Sequence, residues 1–473
     1  MTDASAVVWT RATGEPRKLG LLVKTASEAR FTYDRQAGDL PGISVVHDTK
    51  LLSNGQVVTF ERSENNDLPP MFQALIPPAD PTNLQRRILR IELEKETPLA
   101  GLSETDVNWL MLMKAGRDAI GHLDVFASDD EARGWYAEPT PTISIDAIAD
   151  GPLWKMIVEA SSPTASPLTL DRIIEALKVH PSPGGVMPKI LARVQDGQRV
   201  VDELIKLSAR EYPHVLALED IAYDFHQKVG TVLPLHKFLT TADGIEVLAV
   251  ERFDRKDGIP IPVESIFCAL YAATNGSPDR VERRWSQGQP VPNLEMVAEL
   301  LRSPMAGATV RPNGDCEEFY KRQVMALLTG NGDNHLENSA ILGRRGEARL
   351  SPLFDPAPMR GYFDKRMVSC VSFSGVTFHG ANMPSEIGHA IMMLGTSFGL
   401  TKARRNAVVE HCLEATADFG QVVRDKIPAE VSNPLLSHVD GVRTRIESAL
   451  AEAKHRPMSA PKPDNEETSK HSI

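Results

Sequence analysis

Apolar and polar residues alternate in short runs through residues 1–60: AVVW, KLGLLV, ARFTYD and QVVTFE, divided by Gly, Asp and Asn turns. Period-two alternation marks half-buried strands, so this segment predicts a small β region. From 82 to 126 the period lengthens. ILRIEL and VNWLMLMKAG predict helices, and IGHLDVF a short closing strand. Periodicity is lost over 127–168, where SDDEARGW and AEPTPT are polar or Pro-bearing and EASSPTASP concentrates Ser, Thr and Pro. That composition predicts a loose connection, with a first domain boundary near 150–170.

The middle of the chain has an informative order. VMPKILARV (186–194) and RVVDELIKLS (199–208) predict two strands joined at Asp196-Gly197, a hairpin signal. Residues 217–229 place Leu218, Ile221, Ala222, Phe225 and Val229 at helical spacing, with Gly230 as the stop. VLPLHKFL and IEVLAVERF follow as two more strands around Ala242-Asp243-Gly244. The chain then turns helical. In 316–329, Tyr320, Val324, Leu327 and Leu328 form one apolar face ended by Gly330. A polar loop, NGDNHLEN, leads into SAIL and ARLSPLF, short strands joined by GRRGE, with Asp355 directly after the second. Residues 385–455 read as mostly helical. From about 455 the chain is almost devoid of apolar residues and carries three prolines, which predicts a disordered tail.

Composition narrows the class. The chain has 473 residues, enough at roughly 150 per domain for two or three domains and a full core. A net charge of -11 argues against a nucleic-acid coat, leaving room only for a local basic patch. Cys268, Cys316, Cys370 and Cys412 are too far apart for a C-x-x-C pair, and their sparsity fits a reducing cytosol. The longest apolar runs, WLMLM and AIMML, fall far short of the ~20 residues of a membrane helix. The N-terminus lacks a signal-like apolar stretch. A cytoplasmic protein with no membrane partner is expected.

The candidate chemistry lies in the polar loop. Asp333 and Asn338 stand five positions apart, after a helix and before the hairpin that delivers Asp355. Phosphoryl transfer needs such a set. One carboxylate orients the attacking hydroxyl and takes its proton. An amide oxygen and a second carboxylate hold Mg²⁺ against the phosphates, and a strand lysine, here Lys206, neutralises phosphate charge. Each residue alone reads as structural: Asp333 and Asp355 as turn residues, Lys206 as a solvated strand residue, His335 as a packing histidine. Order and spacing together favour function.

At these residues the sequence resembles the HipA-type toxin kinases, the serine/threonine kinase half of HipBA toxin–antitoxin pairs. Residues 248–255, LAVERFDR, are close to that family's hinge motif. GDNHLEN (332–338) is similar to its D-G-H-x-K-N catalytic loop, LFD (353–355) to its metal-binding F-Y-D step, and ELIKL (203–207) to its ATP-contacting strand. SPGGVMPK (182–189) resembles the phosphate loop S-x-x-G-A-Q-x-K. FQALIPPADPTNLQRRI (72–88) and AGRDAIG (115–121) resemble the family's F-x-N-L-L-P-D segment and G-R-D-x-x-G turn, and the likeness spans about 7–450.

The resemblance implies roles. Asp333 would be the catalytic base, and Asn338 and Asp355 the metal ligands. Lys206 would contact ATP phosphates, and Glu251, Arg252 and Phe253 would border the adenine. Gly184, Gly185, Val186, Met187, Pro188 and Lys189 would cover the phosphates. His335, Leu336, Glu337 and Phe354 would complete the nucleotide site, and Ser182 would be the autophosphorylated serine. ATP and Mg²⁺ are the implied cofactors. The implied partners are a HipB-like antitoxin, an aminoacyl-tRNA synthetase as protein substrate, and DNA only through the antitoxin complex. The chain departs from the pattern at Asn334, where the family has Gly, at Glu337, where it has Lys, and in the phosphate loop, which lacks Gln. Glu219 is either a lysine's partner or a solvent-facing residue and is not assigned to the site. Arg280, Arg283 and Arg284, with Lys402, Arg404 and Arg405, read as solvated helix charge, or as DNA-phosphate contacts inside an antitoxin complex.

The expected fold is α+β, a protein-kinase-like bilobal fold. It divides into an N-terminal β-rich cap (1–126), a connection (127–170), a β lobe with phosphate loop and hinge (171–255), a helical C-lobe (256–455) and a tail (456–473). Three functions compete. The first is a growth-arresting protein serine/threonine kinase. The second is a catalytically weak or inactive partner that acts with an antitoxin as a DNA-bound corepressor. The third is a small-molecule kinase. The joint presence of Asp333, Asn338, Asp355 and Lys206 favours the first.

Overall fold

The structure is a computed structural model that describes residues 4–51, 55–62, 68–79, 83–139, 142–144, 188–208, 211–241, 244–273, 293–362, 372–376 and 385–455. The predicted phosphate loop up to Met187, the expected boundary at 150–170, Arg280, Arg283, Arg284 and the tail lie outside these residues.

The N-terminal alternation becomes an antiparallel sheet. Strands β1 (Ala4–Thr10), β2 (Arg17–Lys24), β3 (Glu28–Tyr33), β4 (Val57–Glu61) and β5 (Asp124–Phe126) lie in the order β4-β3-β2-β1-β5. Gly20 is required where β2 crosses β3, because a Cβ there would meet the Thr32 carbonyl at 2.3 Å and the Phe31 ring at 2.6 Å. A short α1 (Pro70–Gln73), α2 (Leu84–Glu96) and α3 (Glu104–Ala115) complete the subdomain. Their Phe72, Leu89, Leu93, Met111 and Leu112 share a core with Val8, Leu22, Phe31 and Phe60 of the sheet.

The segment SDDEARGW is not loose. It forms α4 (Asp129–Ala137), and Ser128 caps it by accepting the Glu131 N–H. Three acids in the first turn favour the helix dipole's positive end. Ala132 is fully buried in a small cluster with Trp9 and Phe126. The S-x-x-E capping signature, rather than apolar periodicity, carries this helix.

The second sheet has the order β6-β7-β8-β10-β9, from β6 (Ile143–Ser144), β7 (Lys189–Asp196), β8 (Arg199–Leu207), β9 (His236–Thr240) and β10 (Glu246–Glu251). The β7–β8 hairpin turns where predicted, with Gly197 at φ +59°. Helix α5 (Val215–Lys228) lies between β8 and β9 in sequence and packs against β10 and β9, with Leu218, Ile221, Ala222 and Phe225 buried.

Beyond the hinge the chain does not turn helical at once. Short strands β11 (Arg255–Lys256), β12 (Ile259–Pro260) and β13 (Val263–Ser265) come first. Helices α6 (Ile266–Ala273), α7 (Leu294–Arg302) and α8 (Pro312–Thr329) follow, then β14 (Ala340–Leu342) and β15 (Arg349–Leu350), which pair with β13 in the order β13-β14-β15. The expected second strand ARLSPLF is cut to two residues, because Pro352 has no N–H to continue a ladder. Asp355 therefore sits in a loop, not directly after a strand. Helices α9 (Ile387–Ser397), α10 (Lys402–Ala415), α11 (Phe419–Lys426) and α12 (Ala429–His455) close the C-lobe around one large apolar core. Among the described residues no helix is long and apolar enough to cross a membrane.

Candidate functional site

Strand β8 delivers Lys206 into the space between the sheet and α5. The side chain is 4% exposed, and its ammonium donates to Glu219 Oε1 (2.6 Å), Glu219 Oε2 (2.9 Å) and Asp355 Oδ1 (2.7 Å). An ammonium has three hydrogens, so this set uses them all. Glu219 is fully buried on α5 and is not a solvent-facing residue. Two carboxylates share one cation. Burial opposes the charge on Asp355, but Lys206 and Lys189 outweigh it and hold this carboxyl far below the ordinary range. Burial pushes the Glu219 carboxyl up to about 7 against the pull of Lys206. Lys206 itself is held protonated.

Lys189 is the register partner of Lys206 across the β7–β8 hairpin. The two residues therefore point to one face of the sheet. Lys189 is nine-tenths buried, and burial lowers its pKa while Asp355, Glu219 and Asp333 act to raise it. Like charges directly opposite on neighbouring strands repel. The acids around this rung offset that repulsion.

The loop 331–338 is held by its own backbone and by α8. Gly330, at φ +73°, ends α8 with its N–H on the Ala326 carbonyl, and a Cβ there would meet Leu435 at 2.5 Å. Asn331 Oδ1 accepts the Asp333 N–H (2.9 Å), and Asn338 Nδ2 donates to the Asp333 carbonyl (2.9 Å). Asp333 is thus fixed from both sides. Leu336 is buried and pins the short 3-10 turn Leu336–Asn338. Asn334, at the family's Gly position, donates to Gln323 Oε1 on α8 (2.7 Å), so the departure has a structural partner. His335 stands between two acids, with Nε2 3.9 Å from Asp333 Oδ2 and Nδ1 3.9 Å from Glu337 Oε2. Glu337 is exposed at the mouth of the loop.

Asp355 occupies the left-handed region at φ +57°, a conformation unusual for a residue other than glycine. Its N–H donates to the Tyr223 hydroxyl on α5 (3.3 Å). Beside it, Phe354 packs on Phe253 of the hinge, with ring centroids 5.6 Å apart. The electrostatic influence of His335 on Asp355, and of Asp333 on Lys189, places the loop and the lysine rung in one neighbourhood. Lys189, Lys206, Asp333, His335 and Asp355 are therefore brought together, and Glu219 joins them.

The hinge residues divide. Phe253 faces Phe354. Glu251 ion-pairs with Arg199 at 2.8 Å on the outer surface. Arg252 turns its guanidinium away, to Asp254 and to the carbonyls of Asp118 and Ala119. Pro188 begins the described part of β7's approach, while Ser182, Gly184, Gly185, Val186 and Met187 lie outside it. Of the second basic cluster, Arg405 is buried and bonded to Thr396 (3.0 Å), and Arg404 is paired with Glu317 (2.6 Å). These two arginines are not a free patch for DNA. Sequence reasoning left Glu219 open between a lysine's partner and a solvent-facing residue; its burial and its bonds to Lys206 decide for the first.

The donor chemistry fits a hard cation. Asp355 stays ionised, and Asn338, with its amide nitrogen spent on Asp333, has its oxygen to offer. Among the described residues no group of three or more His, Cys, Asp or Glu could hold a metal unaided.

Comparison with known proteins decides the family. Residues 181–419 match the model of the HipA-like C-terminal domain, which is half of the chain. The chain belongs to the HipA family. A Sinorhizobium fredii protein named "Putative kinase Y4dM" is 25% identical over 350 residues, covering 71% of this HipA-type chain and 73% of its own. Among solved structures, HipA in the Shewanella oneidensis HipA, HipB and operator DNA complex matches with a TM-score of 0.61 and 14% identity, over 96% of this chain and 100% of that one. The Helicobacter pylori proinflammatory kinase CtkA matches at TM-score 0.39 and 13% identity, over 57% of this chain and 93% of its own. The α+β fold is that of HipA.

Proposed function

We propose that this HipA-type protein is an ATP-dependent protein serine/threonine kinase of the toxin class. The observation that carries the reading is the buried ammonium of Lys206 bonded to both Glu219 and Asp355, beside a loop that fixes Asp333. Phosphoryl transfer asks for positioning and charge compensation more than for covalent chemistry. Asp333 would accept the proton of a substrate hydroxyl as its oxygen bonds to the terminal phosphorus and the bond to the ADP oxygen breaks. Lys206 and Lys189 would meet phosphate oxygens. Asn338 and Asp355 would hold Mg²⁺, whose chemistry when bound is to neutralise the phosphates. Phe253 and Phe354 would border the base.

The substrate would be a translation component of the aminoacyl-tRNA synthetase class, and phosphorylation there would arrest growth. A HipB-like antitoxin would neutralise the protein and link it to operator DNA; the complex in which the Shewanella HipA was solved supports that partner. Ser182 would be the autophosphorylation site, and the setting would be cytoplasmic. A second reading, a catalytically weak partner acting as a DNA-bound corepressor, draws on Glu337, an exposed acid at the family's Lys position.

Purified protein with labelled ATP, Mg²⁺ and a bacterial lysate separates the readings. Wild type should label itself and a protein of synthetase size, and Asp333→Ala should lose at least about 100-fold in rate while still binding ATP. Equal labelling by the two would refute the base assignment. ATP binding without transfer by either would favour the corepressor.

A further inference from the structure

The hinge is tied to the N-terminal subdomain by a buried ionic hub. Arg252, Asp254 and Arg255 have side chains only 4%, 3% and 5% exposed. Asp254 accepts from Arg252 Nε (3.0 Å) and Nη2 (2.8 Å), from Arg255 Nη1 (2.8 Å) and from the Gly121 N–H (2.8 Å). Both guanidinium groups continue across the boundary. Arg252 donates to the carbonyls of Asp118 (3.2 Å) and Ala119 (2.6 Å). Arg255 donates to those of Ala119 (2.9 Å) and Gly121 (2.8 Å), and to Asp118 Oδ1 (3.0 Å). The receiving turn is shaped for this, with Asp118 at φ +49° and Gly121 at φ +83°. A Cβ on Gly121 would approach the Val263 carbonyl at 3.1 Å. The Asp254 carboxyl is pulled down to about 2 by the two arginines, against burial.

A second set of bonds runs from the same subdomain to the other side of the site. Arg344, in the hairpin between β14 and β15, donates to the Asp39 (2.8 Å) and Leu40 (3.2 Å) carbonyls, and Lys50 reaches the Arg345 carbonyl (3.2 Å). That hairpin lies between Asn338 and Asp355 in sequence. The N-terminal subdomain therefore grips the hinge on one side and the stem of the Asp355 loop on the other.

We infer that Asp254 is a positioning residue for the nucleotide site, and that the turn Asp118–Gly121 is the anchor it works against. The reason is the turn at 252–255, closed by the Arg255 N–H on the Arg252 carbonyl (3.3 Å). Its Arg252 and Asp254 side chains are buried against the N-terminal subdomain, while Phe253 between them meets Phe354, one residue before Asp355. Arg252 also ties its N–H to the Asp202 carbonyl (2.8 Å), fixing the same segment to β8, the strand of Lys206. Moving the hub would move Phe253 and the backbone of 251–253 relative to Phe354 and Asp355. Asp254 touches neither nucleotide nor substrate; it acts through Phe253. The inference rests on the kinase reading.

The test measures nucleotide affinity apart from transfer. A nonhydrolysable ATP analogue is titrated into full-length wild type, Asp254→Asn and Arg255→Lys, with KM for ATP, kcat at saturating ATP and thermal melting recorded for each. Arg255→Lys keeps the charge beside Asp254 but loses the planar fork that spans the boundary. Asp254→Asn should weaken analogue binding and raise KM about ten-fold and Arg255→Lys about three-fold, with kcat at saturation within about two-fold of wild type. A lowered melting temperature with unchanged affinity and KM in both would overturn the inference, leaving the hub a support of the fold only. Should Asp254→Asn not fold, Arg255→Lys decides by the same criterion. Wild type that binds no analogue refutes the kinase reading and this inference with it. Wild type and variants that bind equally refute this inference alone.

Discussion

The Lys189–Lys206 rung sets two lysines opposite each other on one face of the sheet in a protein of net charge -11. Lys206 has its three hydrogens on Glu219 and Asp355. Among the described residues no acid is hydrogen-bonded to the Lys189 ammonium, although Lys189 is nine-tenths buried. A buried cation of this kind favours an anion that can reach it. Inorganic triphosphate without metal should raise the melting temperature of wild type in a thermal-shift titration. Lys189→Ala should bind it about ten-fold more weakly, the loss of one charge-assisted hydrogen bond. The lysines were legible in sequence only as separate motif members. Their pairing was not, because register across a hairpin depends on where the turn places its two residues.

Among the elements, those with strong periodicity came out as read: the first four strands, α5, α8 and the C-lobe helices. What periodicity could not show was held by polar chemistry. Helix α4 has a single buried residue of its own, Ala132, and depends on its Ser128 cap and first-turn acids. Ser128→Ala should destabilise the N-terminal subdomain by about 1 kcal/mol, seen as earlier denaturant unfolding, with Ser128→Asp close to wild type. The candidate site shows the same division. Asp333, Asn338 and Asp355 were legible through spacing. Glu219 was legible only as one of two alternatives, because its place on the helix does not say whether it faces the lysine or solvent. Arg252 looked like a cleft residue because its neighbours are, but the turn at 252–255 ties its guanidinium to Asp254 and to the carbonyls of Asp118 and Ala119.

Across the whole molecule the two cores interlock. Val45 of the N-terminal subdomain belongs to the C-lobe core, and Tyr271 and Ala272 of α6 belong to the N-terminal one. Glu264 lies at this junction. It accepts the Val45 N–H (2.9 Å) and the Ser44 hydroxyl (3.0 Å), while its other oxygen is buried with no hydrogen-bond partner among the described residues. Burial pushes its carboxyl from 4.5 up to about 7. Below about pH 4.5 the group is protonated in both folded and unfolded chains and its contribution is intact. As pH rises towards 7 the unfolded chain ionises first, and that stability is lost, by at most ~3 kcal/mol. Glu264→Gln cannot ionise, so its melting temperature should exceed wild type by a margin that grows from pH 4.5 to 7 and then levels. A constant margin would show that Glu264 does not titrate there.

The grip of residues 39–50 and 118–121 on the hairpin and the hinge has a consequence for how such proteins can be recombined. A chimera that exchanged residues 1–126 alone would carry one half of a seam, and Arg252, Asp254, Arg255, Glu264 and Arg344 would face strangers. The heritable unit is the matched pair of surfaces, and the two sides of the seam must diverge together.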